Sequence, residues 1–307
     1  MMKRQFFFFI FFFVQLVYSQ NFQVKEITIS AELIGDLYKT KNSKTIVLLI
    51  AGSGPTDRNG NSSLTQNNSL KFLAENLAKQ NFDVFTYDKR VVYLLKNKKK
   101  IPTLDFRHGI DDAITIANYL KNNLKYKNIV ITGHSEGSLI GMVAAQKNAT
   151  AFISLAGAGK TIDKILSEQI IKQAPILVEE NEKILKQLKA GQKVTNVFPL
   201  LKSLYSEQNQ PFIIEWIQID PTKEIAKLEI PVLIINGTKD IQVGEENAEL
   251  LHQAQPKATK VIIKNMNHIF KQIDNDSENM ASYNNPKLPI QPELIEVIVK
   301  FLKSNIK

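Results

Sequence analysis

Short continuous apolar runs recur along the chain and have the length of β-strands. These runs are residues 45–50 (TIVLLI), 83–87 (DVFTY), 128–132 (NIVIT), 151–155 (AFISL), 231–236 (PVLIIN) and 260–264 (KVIIK). Runs without polar alternation are typical of strands that are buried on both faces of a parallel sheet. They predict a sheet at the centre of the molecule.

Segments of helical pattern lie between these runs. They cover residues 69–79, 110–124, 137–146, 245–253 and 293–302. Strands that alternate with helices indicate a mostly parallel sheet with helices on both faces. Upstream, residues 24–38 alternate between polar and apolar and carry Gly35-Asp36, which predicts a β-hairpin turning at that dipeptide.

The alternation of strand and helix fails between residues 160 and 227. This stretch has a helical pattern throughout and is rich in large apolar residues, among them Leu200, Leu201, Leu204, Phe212 and Trp216. We expect a helical cap insertion over one end of the sheet, with the core formed by 20–159 and 228–307. Such a cap would select the acyl or alcohol group of a substrate; the alternative is that its apolar side chains only pack it onto the core.

The first residues have the layout of a secretory signal peptide. Lys3 and Arg4 precede the apolar run 6–14, and small or medium residues follow at 17–19. A membrane-spanning helix needs about 20 apolar residues, and Gln15 interrupts this run. We therefore expect residues 1–19 to be removed, which predicts a secreted or periplasmic protein without a stable membrane anchor.

Composition narrows the chemistry. The 307 residues include no cysteine, which excludes disulfides, a thiolate nucleophile and thiolate metal sites. The net charge is +9, but the lysines within 96–100 have no interleaved aromatic residues, so a solvated loop is expected there and nucleic-acid binding is not. No metal-ligand helix motif, phosphate loop or dinucleotide fingerprint is present, so neither a metal nor a cofactor is expected. The oligomeric state stays open.

Asp57, Asn59 and Asn61 have the spacing of the first half of a calcium loop. However, the glycine falls at position 60 rather than 62, and Asn68 replaces the closing glutamate. We expect a turn held by its own Asp and Asn side chains instead, with Arg90 paired to Asp57 or Asp88.

The segment Gly133-His134-Ser135-Glu136-Gly137 matches G-x-S-x-G between a strand run and a helix rich in small residues. A nucleophilic serine has to sit on a sharp strand-to-helix turn, which crowds the positions two residues away on either side. Glycine removes the Cβ atoms that would clash there. Ser135 is therefore the predicted nucleophile, and the alternative is a structural glycine-rich turn.

A serine nucleophile needs a general base and an orienting carboxylate. His268 follows the 260–264 run and is the predicted base. The other histidines fit less well, because His134 adjoins the serine, His252 belongs to a predicted helix, and His108 lies near the start of another. Asp240 follows the 231–236 run and gives the chain order Ser, acid, His.

A rival acid, Asp274, comes after the histidine in the sequence. The oxyanion hole is predicted to consist of the backbone N–H of Glu136 and that of Ser53, with Gly54 as the alternative to Ser53.

With these motifs in place, the chain resembles the α/β-hydrolase superfamily. More narrowly, it resembles secreted bacterial hydrolases of the serine-aminopeptidase-like kind, which are related to monoacylglycerol lipases and prolyl aminopeptidases. The matching stretches are AGSGPTDRNGN (51–61), TYDKR (86–90), GHSEG (133–137), PVLIINGTKDIQV (231–243) and NMNH (265–268). The resemblance implies the α/β-hydrolase fold, but Val91-Val92-Tyr93 replaces the glycine-rich turn that usually follows DKR.

Three functions remain from the sequence. The leading one is hydrolysis of small carboxylic esters through an acyl-enzyme. The second is cleavage of amides in short peptides by an aminopeptidase, which needs acidic groups for the substrate amine; Glu179, Glu180 and Glu182 are candidates. The third is a binding protein without catalysis on the same fold, which the intact Ser135, Asp240 and His268 argue against.

Overall fold

The structure of the chain is a computed structural model that describes residues 21–306. The predicted signal peptide, 1–19, lies outside these residues. The strands are β1 (Phe22–Ser30), β2 (Leu33–Thr40), β3 (Thr45–Ile50), β4 (Asp83–Tyr87), β5 (Asn128–His134), β6 (Ala151–Leu155), β7 (Val232–Gly237) and β8 (Thr259–Ile263). The helices are α1 (Ser69–Lys79), α2 (Arg90–Lys96), α3 (Phe106–Asn122), α4 (Glu136–Asn148), α5 (Ile162–Gln173), α6 (Val178–Lys189), α7 (Gln210–Ile217), α8 (Pro221–Ala226), α9 (Glu245–Ala254), α10 (Asn279–Ser282) and α11 (Pro292–Asn305).

The eight described strands form one sheet in the order β1-β2-β4-β3-β5-β6-β7-β8. β1 and β2 pair antiparallel, as do β2 and β4, and the pairs from β4 to β8 are all parallel. The predicted fold class, a mostly parallel sheet covered by helices, is confirmed. The carboxyl ends of β3, β5, β6, β7 and β8 therefore lie along the same edge, which is where a site is expected in such sheets.

Two apolar layers enclose the sheet. Along β3, Ile46, Leu48 and Ile50 face a layer with α3, α4 and α9, while Val47 and Leu49 face a layer with α1 and α11. All six residues of β3 are buried. This burial on both faces explains why the run has no polar alternation.

Between β6 and β7 the chain forms α5, α6, α7 and α8, joined by short 3₁₀ turns at Pro175–Leu177 and Pro199–Leu201. α5 to α7 share an apolar cluster of their own that includes Leu166, Leu188 and Tyr205. Ile225 of α8 belongs instead to the core layer with α4 and α9. Leu200 is exposed and Leu201 is buried, so only some of the apolar residues noted in this segment pack inward.

The hairpin turn was predicted at the wrong dipeptide. The strands turn at Ala31-Glu32, and Gly35-Asp36 lies inside β2. Gly35 is required for packing, because a Cβ there would come within 2.3 Å of the Thr86 carbonyl oxygen and 2.5 Å of the Phe85 ring. A glycine at a close approach between strands carries the same sequence signal as a glycine in a turn.

The segment after β4 also differs from expectation. Val91-Val92-Tyr93 forms part of α2, with Val92 and Leu94 buried. Arg90 binds Asp112 through Nε and Nη2, at 2.7–2.9 Å, and does not bind Asp57 or Asp88. Arg58 donates to Asp88 instead, at 3.0 Å.

The 57–68 loop is held by its own side chains. Asp57 Oδ1 accepts the backbone N–H groups of Asn59 and Asn61, and Asn61 Oδ1 accepts those of Asn67 and Asn68. Across residues 21–306, no group of three or more His, Asp or Glu side chains is placed to hold a metal ion. In the same range no helix has the length and apolar character needed to cross a membrane.

Candidate active site

Ser135 lies on the sharp turn between β5 and α4. Its backbone has φ 53° and ψ −120°, a strained conformation for a residue with a side chain. A Cβ at Gly133 would lie 2.0 Å from the Gly137 carbonyl oxygen, and one at Gly137 would lie 2.5 Å from that of Ile50. The two glycines therefore permit the turn, and Ser135 itself is partly exposed.

Asp240 and His268 come together at the same edge of the sheet. His268 Nδ1 lies 2.8 Å from Asp240 Oδ2, and the two side chains are 4 % and 0 % exposed. The other Asp240 oxygen accepts the backbone N–H groups of Gln242 and Val243, both at 2.8 Å. Because one oxygen is held by the backbone, the carboxylate has a fixed position against the His268 imidazole.

The remaining candidates occupy other places. Asp274 Oδ1 accepts from the amides of Asn265 and Gln272 in an exposed loop. His108 caps α3 together with Asp105, and His252 lies in the last turn of α9. Of the acids and bases considered from the sequence, Asp240 and His268 are the pair that the structure joins by a hydrogen bond.

His134 supports the His268 loop. Its Nε2 lies 2.9 Å from the His268 carbonyl oxygen, and the two rings are 4.8 Å apart. Burial, together with the charge of His268 and of Lys89, lowers the pKa of His134 to about 3. His134 is therefore neutral, and its Nε2–H donates to this carbonyl. The sequence placed His134 only as a neighbour of the nucleophile.

The loop after β3 lies against the elbow. A Cβ at Gly52 would come within 3.3 Å of the Ser135 Cβ, so Ser53 follows a residue that passes directly beside Ser135. Glu136 begins α4, and its side chain is 2 % exposed. The two predicted oxyanion donors thus belong to segments on either side of Ser135.

Sequence reasoning missed Lys89, which links these segments. Its Nζ donates to the Gly52 carbonyl oxygen at 2.7 Å and to Glu136 Oε1 at 3.0 Å. In the sequence, Lys89 is marked only by its place in the TYDKR stretch. That stretch supports the resemblance to known hydrolases but indicates no contact of Lys89.

A pocket of about 400 Å³ opens beside Ser53 and Glu136. It lies between α7 on one side and the β4–α3 region on the other. Its apolar wall includes Tyr87, Val91, Leu104, Ile140, Phe212 and Trp216. Trp216 stacks on Phe106 with ring centroids 5.2 Å apart, and Phe212 meets both rings edge-on.

Acidic side chains at this pocket are already paired. Asp112 is bound by Arg90, Glu136 by Lys89, and Asp105 by His108. The acids proposed for a substrate amine lie elsewhere: Glu179 and Glu180 pair with Lys183, and Glu182 accepts from Ser167. The sequence-predicted acidic set is therefore not assembled at this pocket.

A network of side chains also anchors the loop that carries His268. Asn267 donates to Asn279 and Ser282, and Asn267 Oδ1 accepts the Lys271 backbone N–H. Lys271 is fully buried; its Nζ donates to the Leu288 carbonyl oxygen and lies 4.7 Å from the centroid of the Phe72 ring. A buried ammonium with so few partners is costly, because water no longer solvates its charge.

We expect Lys271 to make the free energy of unfolding depend on pH in the alkaline range. Burial lowers the pKa of Lys271 to about 8, against about 10.4 in an unfolded chain. The unfolded state thus binds more protons between these values, so the free energy of unfolding rises with pH there, by about 2 to 3 kcal/mol. The measurement is denaturant unfolding of wild type and Lys271→Met from pH 7 to 10.5.

Relative to Lys271→Met, the wild type should gain stability as the pH rises. Lys264→Met, which removes an exposed lysine from the same loop, should follow the wild type at every pH. Parallel curves for the wild type and Lys271→Met would contradict the expectation.

Comparison with solved structures identifies the fold of the chain. Among solved structures, the chain is similar to Est1E from Butyrivibrio proteoclasticus, with a TM-score of 0.58, 15 % identity, and coverage of 92 % of this chain and 98 % of that one. It is similar to a dienelactone hydrolase from Anabaena variabilis, with a TM-score of 0.56, 15 % identity, and coverage of 94 % and 100 %. The chain therefore has the α/β-hydrolase fold.

A similarity also exists at the level of sequence. Over 242 residues the chain is 26 % identical to Esterase EstD of Thermotoga maritima. The aligned region covers 75 % of this chain and 55 % of the relative. The chain thus spans about half the length of the curated relative that it matches. No protein-family model matches the chain.

Proposed function

We propose that the protein is a serine hydrolase that cleaves carboxylic esters of small molecules through an acyl-enzyme. The observation that carries the proposal is the buried hydrogen bond between His268 Nδ1 and Asp240 Oδ2 at the sheet edge that also bears the strained Ser135. The similarity to proteins named esterase and hydrolase supports the same reaction class.

In this mechanism Ser135 Oγ attacks the ester carbonyl carbon while His268 removes the hydroxyl proton. Asp240 holds the imidazole in the tautomer that leaves Nε2 free to accept that proton, and it stabilises the resulting cation. The backbone N–H groups of Ser53 and Glu136 bind the oxyanion. His268 then gives the proton to the departing alkoxide. In the second half of the reaction His268 removes a proton from water, which attacks the acyl-enzyme, and then returns that proton to Ser135 Oγ as the acid is released.

The pocket supports an ester over a peptide with a free amine. Its wall is largely apolar, and its carboxylates at Asp105, Asp112 and Glu136 are paired with basic side chains. An ammonium group would have to displace one of these partners. Aminopeptidase activity remains the second candidate, because the same nucleophile and base cleave amides, but no arrangement at this pocket favours it.

We further propose that the pocket holds the acyl group. The oxyanion donors and the pocket share Ser53 and Glu136, whereas neither Ser135 nor His268 is part of the pocket wall. The leaving alcohol has to lie within reach of His268, since the imidazole protonates it. The portion that stays bonded to Ser135 therefore extends the other way, toward Phe212 and Trp216.

This placement predicts how acyl length and Trp216 act together. Each buried methylene contributes about 0.8 kcal/mol, so kcat/KM for p-nitrophenyl esters should rise about three- to fourfold per methylene until the pocket is full. Trp216→Ala should flatten that rise or move its optimum to longer acyl groups. The same panel includes aminoacyl p-nitroanilides, for which turnover should be far lower.

A matched control for this series is Phe198→Ala, which removes an exposed aromatic residue of the insertion that does not belong to this pocket. It should leave the acyl profile unchanged. If Trp216→Ala folds normally and keeps the wild-type profile, Trp216 does not select the acyl group. A preference for the anilides would favour the aminopeptidase.

Export of the protein is also part of the proposal. It rests on the basic start at Lys3 and Arg4, the apolar run 6–14 and the residues at 17–19. Sequencing of the exported protein should find a new N-terminus after Ser19 or Gln20. An intact Met1 in a membrane fraction would contradict it.

A further inference from the structure

Lys89 lies at the junction of three segments that meet beside the nucleophile. It lies two residues after the end of β4, and its side chain is 15 % exposed. Its Nζ reaches the Gly52 carbonyl oxygen in the loop after β3 and Glu136 Oε1 in the first turn of α4. One ammonium therefore ties together the two segments that carry the proposed oxyanion donors.

The contact with Gly52 fixes the direction of one donor. The Gly52 carbonyl and the Ser53 N–H belong to the same peptide group, and the described chain contains no cis peptide bond. In a planar trans peptide, the C=O and N–H bonds point in opposite directions. When Lys89 holds the carbonyl oxygen, the Ser53 N–H is aimed away from Lys89. A cation on the carbonyl also polarises the peptide, which strengthens its N–H as a donor.

The contact with Glu136 removes an adverse charge. The Glu136 side chain is 2 % exposed, and the backbone N–H of the same residue is the second proposed donor. A carboxylate this close to a developing oxyanion would raise the energy of the transition state, since like charges repel strongly where water is excluded. Paired with Lys89, the carboxylate and ammonium together carry no net charge.

We propose that Lys89 is a positioning residue of the oxyanion hole, which aims the Ser53 N–H and neutralises Glu136. The inference rests on the proposed function. It predicts that Lys89 acts on the tetrahedral transition state and hardly on the ground state, because the carbonyl of the bound ester carries much less charge than the oxyanion. Stability and catalysis should therefore separate in the variants.

The test is the kinetics of Lys89→Met on an activated ester. We expect kcat to fall about 10- to 100-fold, less than or similar to the loss of a whole oxyanion donor, with KM changed less than about threefold. Affinity for a trifluoromethyl ketone, which forms a tetrahedral adduct with the nucleophile, should fall by the same factor as kcat/KM. Affinity for an uncharged ground-state analogue, the primary amide of the same acyl group, should stay within about threefold.

Two further variants separate the two parts of the role. Lys89→Arg keeps the charge and the donors, so it should restore most of kcat. The double variant Lys89→Met/Glu136→Gln should be faster than Lys89→Met alone, because it removes the unpaired carboxylate. If Lys89→Met does not fold, Lys89→Gln serves in its place, since its amide retains a donor for Gly52 while the charge is lost.

Lys39→Met is the matched control. Lys39 binds Asp83, a fully buried carboxylate at the opposite end of β4, at 2.5 Å. Its removal should lower the melting temperature but leave kcat and ketone affinity at wild-type values.

A folded Lys89→Met with wild-type kcat, or with equal losses of affinity for the ketone and the uncharged amide, overturns the positioning role. The proposed function survives that result if wild type, but not Ser135→Ala, still hydrolyses the ester. If wild type hydrolyses no ester, both proposals fail.

Discussion

Ser135→Ala should abolish turnover of activated esters, with kcat lowered by about 10⁶, as for the nucleophile of a well-studied serine hydrolase. The oxygen that attacks the substrate is lost, while the turn should be kept, because alanine has the same Cβ as serine and adds no strain to the backbone. A fluorophosphonate probe should label the wild type on the peptide that contains Ser135 and should not label the variant. Residual hydrolysis is then limited to what the oxyanion donors provide.

Ser138 is the matched control for this labelling, because it lies within the same short segment. Its hydroxyl is buried and bonded to Ser154 at 2.7 Å. Ser138→Ala should keep both labelling and turnover, provided that it folds. Label on a serine other than Ser135, or undiminished hydrolysis by Ser135→Ala, would overturn the assignment of the nucleophile.

Asp240→Asn should lower kcat by about 10⁴, the loss seen when the orienting carboxylate of a serine triad becomes an amide. The amide keeps the shape but can donate to His268 Nδ1, which favours the tautomer that cannot accept the serine proton. Asp274→Asn should lower kcat less than about tenfold, since its partners are the amides of Asn265 and Gln272. Steady-state kinetics at one pH compares both variants.

The reverse ranking would mean that Asp274, which follows His268 in the sequence, is the orienting carboxylate. Equal and small effects would mean that neither carboxylate orients His268. Circular dichroism of both variants separates these outcomes from misfolding, because Asp240 also accepts two backbone N–H groups and its substitution could loosen that loop.

The sequence predicted the sheet and its helices well because strands that are buried on both faces consist of continuous apolar runs. The predicted strands at 45–50, 83–87 and 151–155 match β3, β4 and β6. The errors arose where one signal has two physical causes. Gly35 marks a close approach between β2 and β4 and not a turn, and α2 was missed because residues 91–93 were interpreted only as a departure from the glycine-rich turn of similar proteins.

For the site, the sequence could predict single residues but not the contacts between charged side chains. Chain order and strand ends predicted Asp240 and His268, which the structure places 2.8 Å apart. By contrast, Lys89 and His134 act through contacts with residues distant in the chain, and no local pattern marks such pairs. The pairing of Arg90 with Asp112 was missed for the same reason.

The position of Trp216 in the pocket wall has a consequence for optical measurements. Trp216 is the single tryptophan among the 307 residues, and it belongs to the wall of the pocket beside Ser53 and Glu136. Tryptophan emission excited at the red edge of the absorption band therefore comes from this one place. A ligand that enters the pocket replaces water near the indole, so the colour of the emission reports occupancy of the pocket without any attached dye.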